Sequence, residues 1–545
     1  MNPAVKDVLD QLSIDGNTSI TLPIHFNFAF DIIDYQADHD DKTAYVEVNS
    51  DGSKIVEHSF SQLKSRSARV ASALRDTGIE HGEFAVVILP RIPAWYEVII
   101  GCAKAGVVSM PGTNLLTAKD IEYRIKKAEA STVIVSTEHV EKIEAIKANC
   151  PTLKHFIVVG ESSNNNWLNY EDALARANDS FTRESTQQTS NDDLMMAYFT
   201  SGTTSDPKLV TRNYGYGLAH VATGAYWLDL KRDDLHWTLS DTGWAKAAWG
   251  MLYAPWLMGS AMVLFNGSGF DAELHLNLIK KLKVTTFCAP PTVFRLFAQM
   301  QLGDYDLSSI RHTVSAGEPL NPEAIRVWEE ATGTTIHDGY GQTETVNIVA
   351  NRPGIEVRHG SMGKPVPGFE VEVIDDEGKR VNDDEIGHIA MRITDPAPIG
   401  LFDGYYESRT ERNRSAFKNG YYYTGDTATR DAEGYIWFVG RSDDIISSAG
   451  YRISPFEVES VLMEHPAVVE SAVVAKPDEL RGHIVKAFLV LGEGYTPSEE
   501  LTGEIQEFVK SNTAPYKYPR EISYRDSLPK TISSKIRRVE LREDD

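Results

Sequence analysis

Short, continuous apolar runs alternate with longer stretches of helical spacing through the first half of the chain. AVVIL (85–89), STVIVS (131–136) and HFIVVG (155–160) are rich in β-branched residues and free of charge. Runs of that kind suit strands buried on both faces, as in a parallel sheet. Between them, SFSQLKSRSARVASALRDTG (59–78) and TAKDIEYRIKKAEA (117–130) have the length and spacing of helices. The alternation predicts layered α/β structure. No internal repeat of about 20–50 residues is visible.

The pattern changes after Pro353. Residues 363–440 consist of short alternating runs broken by Gly and Asp turns, such as FEVEVIDDEGKRV and GHIAMRI, and read as β-hairpins, a small barrel-like part. A helix at SPFEVESVLMEH (454–465) and a strand at ESAVVAK (470–476) then open a compact α+β pattern. The expected fold class is therefore α/β. A large N-terminal domain, residues 1–440, holds layered sheets and the barrel-like part, and a smaller C-terminal domain, residues 441–545, lies beyond a boundary near Arg441.

One segment tests whether the chain enters a membrane. Residues 247–270, AAWGMLYAPWLMGSAMVLFNGSGF, carry no formal charge, and a span needs about 20 apolar residues. Gly250, Pro255, Gly259 and Gly267 punctuate the run. The reading is a buried helix at AWGMLYAPWLM, a turn at Gly259 and a strand at AMVLF.

Composition narrows the classes. At 545 residues and 42% hydrophobic content, the chain has ample material for more than one core. A formal charge of −24 argues against general binding to nucleic acid or to an anionic membrane. Within this acidic chain, residues 510–542 are locally basic, which suits an anionic ligand near the C-terminal domain. Cys102, Cys150 and Cys288 are far apart and form neither a zinc spacing nor a disulfide framework. With no basic-then-apolar leader at the N-terminus, the expected compartment is the reduced cytoplasm. Monomer and homodimer remain open.

The chemistry concentrates in YFTSGTTSDPKLV (198–210). Backbone N–H groups of a Gly/Ser/Thr loop converge readily on phosphate oxygens, and Lys208 adds positive charge. It is not a Walker A loop: Pro207 stands where the second glycine is needed, and Leu209 follows the lysine. A ligand-free flexible loop remains the alternative for this stretch alone. No GxSxG elbow or HExxH helix points to a hydrolase.

Further Gly-bearing turns come in order: TVSAGEPL (313–320), HDGYGQTETV (337–346), the long run 421–459 that begins YYYTGDTATR, and PKTISSKIRR (529–538). Together with the glycine loop they resemble the adenylate-forming superfamily of acyl-CoA synthetases, luciferases and peptide-synthetase adenylation domains. SDTGW (240–244), GYRISPFEVESVLMEHPAVVESAVV (450–474) and APYKYPREI (514–522) are most similar to the medium-chain acyl-CoA synthetase branch.

The resemblance implies ATP, magnesium and coenzyme A as cofactors, and a small carboxylic acid as substrate. It implies that Thr200, Ser201, Gly202, Thr203, Thr204, Ser205 and Lys208 hold the β- and γ-phosphates. Gly317, Glu318 and Pro319 would line the adenine, with Asp338, Gly339, Tyr340, Gly341, Gln342 and Thr343 running on to the α-phosphate. Glu344 would bind magnesium, Asp426 the ribose hydroxyls with Arg441 beside it, and Lys535 the α-phosphate during adenylation. Ala449, Gly450 and Tyr451 would line the coenzyme A channel, with Arg481 and Lys510 on its phosphates and Arg452 on AMP or the acyl group. Lys535 and the channel belong to different half-reactions, so the resemblance also implies a mobile C-terminal domain hinged at Asp443.

Two residues depart from the family pattern: Ser205 and Ser534 stand where glycine is usual. Gly341 replaces the tryptophan that shortens the pocket of acetyl-specific relatives. With Trp244 and Trp249 as candidate walls, the expected substrate is a medium-chain, branched or aromatic monocarboxylic acid. Two rivals stay open: an adenylating enzyme that loads a carrier-protein thiol, and a catalytically impaired nucleotide-binding protein.

Overall fold

A computed structural model describes the chain except for residues 162–163, 186–188, 201–206, 318–319, 321, 450, 479, 531–535 and 544–545. Two compact units emerge. The first comprises Met1–Thr200, Leu209–Glu370 and Arg392–Ser415; the second includes Val371–Met391 and Ala416–Asp545.

The first unit is built on two nine-stranded sheets. In one, the strands Phe84–Ile88, Val108–Pro111, Thr132–Ser136 and His155–Val159 pair in parallel. These include the three unbroken apolar runs of the sequence; the first three strands are buried along nearly their whole length, whereas His155–Val159 buries only Ile157 and Val158. The helix Phe60–Asp76 starts where Ser59 and Gln62 exchange a reciprocal capping pair, and Ala118–Ala128 starts on the same device from Thr117 and Asp120. Helix Pro93–Ala105 is buried on every side from Ala94 onward. Its Tyr96 ring lies 4.9 Å from that of Tyr45, which belongs to the other sheet. Its Lys104, wholly buried, is paired with Asp34 at 2.7 Å.

The second large sheet runs Ala261–Phe265, Leu235–Thr238, Thr286–Ala289, His312–Ala316 and Ile336–Gly341 in parallel, with antiparallel strands at its edges. Its face is sealed by an aromatic cluster in which Phe287, Phe294, Phe297 and Trp328 touch ring to ring. The uncharged segment 247–270 resolves as the sequence suggested. A helical stretch from Ala245 to Met258 ends at Gly259, whose φ of +76° caps it, and strand Ala261–Phe265 comes next. Among the described residues, no helix is long and apolar enough to cross a membrane.

In the second unit the hairpin region forms a five-stranded antiparallel sheet around the long strand Tyr421–Arg430. Beyond it, strands Val468–Asp478, Gly482–Leu491 and Glu521–Tyr524 form a three-stranded sheet. The helices Pro455–Leu462 and Glu499–Asn512 bury Val458, Leu462, Ile505 and Val509 in its core. The sequence boundary at Arg441 coincides with the last residue of strand Ile436–Arg441, inside this unit. That strand is hydrogen-bonded along Tyr421–Arg430, so the chain up to Arg441 belongs to the hairpin sheet, and the strands beyond it form separate sheets.

Candidate functional site

Strands His312–Ala316 and Ile336–Gly341 are parallel neighbours, with Ser315 opposite Asp338 and Ala316 opposite Gly339. Gly317 and the segment from Tyr340 onward therefore leave the same carboxyl edge of the sheet, where open α/β sheets take their ligands. Gly317 has φ +108°, a conformation for glycine. Gly339 and Gly341 are required for a different reason. A Cβ on Gly339 would collide with Trp227 Nε1 and stand 2.7 Å from Asn347 Nδ2. One on Gly341 would collide with the Val346 carbonyl oxygen and stand 2.7 Å from Trp249 Cη2. The sequence placed room for the acid at Gly341; in the structure the space beside its Cα is taken by the Val346 carbonyl and the Trp249 ring. Trp249 packs edge-on to Trp227 at 6.2 Å, while Trp244 is half-buried at the start of helix Ala245–Ala248.

Asp338, on strand Ile336–Gly341, is buried. Desolvation pushes its carboxyl up to about 8, against the opposing pull of the Gly339 N–H at 2.8 Å and the nearby Lys246 ammonium. Lys246 Nζ donates to the Ala316 carbonyl at 3.1 Å, on the neighbouring strand end.

Glu344 is also buried, and it is held from three directions. Tyr405 donates its hydroxyl to Glu344 Oε1 at 2.8 Å. Arg212 Nη1 donates to the Glu344 carbonyl at 2.9 Å, and the Phe402 N–H to the same oxygen at 3.0 Å. Arg212 is buried over the Tyr216 ring, 3.9 Å from its centroid, and also donates to the Gly400 carbonyl. Tyr405 pairs with Val210 on strand Leu209–Asn213, the strand that Lys208 precedes. Thr200 follows strand Leu194–Phe199, and Phe199 lies opposite Leu209, so the two ends of the glycine loop are held side by side. Sequence reading missed Arg212 and Tyr405. The available signal was a lone charge in the otherwise uncharged strand LVTRN and a tyrosine pair after Gly404.

Among the described residues, no cluster of three or more carboxylate, imidazole or thiol groups could cage a metal ion. Magnesium seldom needs one: it keeps water and joins one or two carboxylates to substrate phosphates. The buried carboxylate of Glu344, oriented by Tyr405, fits that donor set.

In the second unit Asp426 is buried and accepts from Arg441 Nη1 at 3.2 Å, across the paired strands that place the two residues opposite each other. Arg441 Nε also stands 3.7 Å from Asp443. Ala449 has φ +49° and donates its N–H to the Arg481 carbonyl at 2.9 Å. Tyr451 is half exposed and stacks on Tyr516 at 4.1 Å. Lys510 pairs with Glu507 and lies 4.5 Å from the Tyr518 ring centroid. The Arg452 backbone pairs with Ser447. Ser201, Gly202, Thr203, Thr204, Ser205, Glu318, Pro319, Gly450, Ser534 and Lys535 lie outside the described residues.

Residues 34–406 match the AMP-binding enzyme family, and residues 457–535 match the AMP-binding enzyme C-terminal domain. The chain belongs to the AMP-binding enzyme family. It is 41% identical to acyl-coenzyme A synthetase ACSM3, mitochondrial, of Rattus norvegicus, covering 97% of this chain and 92% of that protein. It is 42% identical to acyl-coenzyme A synthetase ACSM4, mitochondrial, of Homo sapiens, covering 96% and 91%. Among solved structures, the anthranilate CoA ligase AuaEII in complex with anthranoyl-AMP superposes with a TM-score of 0.86 at 33% identity, covering 96% of this chain and 98% of that one.

These relatives correct one expectation. The sequence pointed to the cytoplasm, whereas both relatives are named as mitochondrial. Reduced, scattered cysteines and acidic charge suit either compartment, so composition could not separate them.

Proposed function

We propose that the protein is an AMP-forming acyl-CoA synthetase, an acid–thiol ligase acting on a medium-chain, branched or aromatic monocarboxylic acid. What carries this reading is the buried Glu344, its carboxylate met by Tyr405 and its backbone carbonyl held by Arg212 at the carboxyl edge of a parallel sheet, in a chain matching acyl-coenzyme A synthetases over nearly its whole length. A mitochondrial location, as in the names of the relatives, belongs to the same proposal.

A carboxylate cannot expel oxide, so it must first be activated. Its oxygen attacks the α-phosphorus of ATP, the bond to the bridging oxygen breaks, and pyrophosphate leaves. The thiol sulfur of coenzyme A then attacks the acyl carbon, AMP leaves with the electron pair, and the thiol proton passes to solvent. The residues must hold several anions together and stabilise charge as it moves.

Thr200, Lys208 and the loop between them cradle the outer phosphates. The edge from Gly317 and from Asp338 to Thr343 seats the adenine. Asp426, with Arg441 beside it, accepts the ribose hydroxyls, and Lys535 reaches the α-phosphate. Magnesium on Glu344 would neutralise phosphate charge as pyrophosphate departs. Ala449, Gly450, Tyr451, Arg481 and Lys510 guide coenzyme A, Arg452 meets AMP or the acyl group, and Asp443 serves as the hinge for a C-terminal domain, residues 441–545, that serves the two half-reactions in turn.

AMP release with coenzyme A, measured across acetate, butyrate, hexanoate, benzoate and anthranilate, tests this. Turnover of hexanoate or an aryl acid well above acetate is expected. Acetate far ahead of all others would reject the substrate class. Release of AMP without consumption of coenzyme A would favour a carrier-protein thiol as acceptor.

A further inference from the structure

Helix Arg538–Glu543 begins three residues after Lys535 and carries two arginines one turn apart, Arg538 and Arg542. Arg538 Nη2 donates to both Glu459 oxygens at 2.7 Å. Glu459 lies on helix Pro455–Leu462, is buried, and accepts the Val473 N–H at 2.7 Å through the same Oε1. Arg542 pairs with Asp444, and Arg538 Nη1 stands 3.8 Å from the other Asp444 oxygen. Asp444 follows Asp443, in a turn closed by its own N–H on the Arg441 carbonyl at 3.1 Å. On the other side, Lys530 bridges to Ile536, and the Arg537 N–H donates to the Pro529 carbonyl at 2.9 Å.

These contacts exceed what holding a short helix requires. Leu541, buried against Phe488 and Leu528, already anchors it by apolar contact. A buried ion pair is weak evidence of stabilisation, because desolvating both charges offsets their attraction. Burial does push the Glu459 carboxyl up, with Arg538 pulling the other way. What such a pair adds is direction: a planar guanidinium on a carboxylate that is itself fixed allows one orientation. Lys535 precedes Arg538 by three residues in the sequence, so what fixes the residues from Ile536 to Arg538 fixes the C-terminal base of the segment that carries the lysine.

We propose that Glu459 and Arg538 form a positioning pair for the adenylate-forming half-reaction, holding the base of the segment that carries Lys535 in register with the turn after Asp443. The inference rests on the acyl-CoA synthetase reading and on the role of Lys535 in it. Neither residue touches substrate. The pair acts through the lysine, and a displacement of about 1 Å at a reacting group is enough to cost on the order of a hundredfold in rate.

The test compares the two half-reactions in the full chain. Glu459→Gln should lower acid-dependent ATP–pyrophosphate exchange by roughly 30-fold or more, mainly in kcat, with thioester formation from supplied acyl-adenylate and coenzyme A within about threefold of the wild type. A second variant, Glu459→Leu with Arg538→Met, removes both charges and keeps apolar volume. It should show the same selective loss with little change in melting temperature. Equal loss in both half-reactions, recovery of exchange in the double variant, or failure of both variants to fold would assign the pair to stability and overturn positioning. A wild-type protein with no exchange for any acid would instead overturn the reading on which the inference rests.

Discussion

At the scale of single residues, two buried carboxylates on one sheet edge have different surroundings. Glu344 is met by a hydroxyl donor, and its backbone is pinned by Arg212. Tyr405→Phe removes one hydrogen bond to a charged group, worth about 1.5–3 kcal/mol, without emptying space. The expected outcome is a ten- to hundredfold lower kcat/KM, read as AMP release, with a raised magnesium requirement and a fold unchanged by circular dichroism. Asp338 instead lies where desolvation outweighs the pull of Lys246, and its carboxyl stays protonated up to about pH 8. In the unfolded chain an aspartate ionises near 4. The folded state therefore keeps a proton that the unfolded state releases, and stability falls as pH rises from about 4 to about 8, then levels off. Urea unfolding of Asp338→Asn should show a gain over the wild type at pH 9 and a smaller gain, or none, at pH 5.

At the scale of elements, the glycines of DGYGQ show where pattern reading succeeds and stops. The sequence marked this segment as a glycine-bearing turn; in the structure both glycines lie on strand Ile336–Gly341, which leads into the turn. Their necessity was not legible, because it comes from Trp227, Asn347, Val346 and Trp249, which approach from other elements. Gly341→Ala should destabilise by about 1–3 kcal/mol through overpacking against the Val346 carbonyl. Thermal unfolding measures it. A variant with wild-type stability and a changed acid preference would show that Gly341 only sets pocket length. If Trp249 walls the acid pocket, as the sequence suggested, Trp249→Ala should instead widen the range of acids accepted. Measured KM values for hexanoate and for bulkier aryl acids check it.

At the scale of the whole molecule, the proposed division of labour predicts separable defects. Lys535→Ala should abolish acid-dependent ATP–pyrophosphate exchange and leave thioester formation from supplied acyl-adenylate. Equal loss of both would count against a C-terminal domain that serves the half-reactions in turn. The sequence boundary was drawn where the residue pattern changes. The compact units divide the chain elsewhere: the second takes in Val371–Met391 and Ala416–Asp545, and strand Tyr421–Arg430 pairs with Phe417–Lys418 and Ile436–Arg441, all on the N-terminal side of the sequence boundary. The match of both family segments, residues 34–406 and 457–535, extends across both units.

The sequence by itself determined the α/β layering, the buried character of the uncharged segment and the ordered motifs that place the chain in its family. Those features are local: a strand buried on both faces, a capped helix and a glycine turn each leave their mark within a few neighbouring residues. Only the tertiary structure decided what surrounds each group. Tyr405 is 61 residues from Glu344, Arg212 is 132 away, and Arg538 is 79 from Glu459. Contacts across such separations depend on how strands are ordered in a sheet and how helices pack on it, and hydrophobic periodicity carries no information about that order.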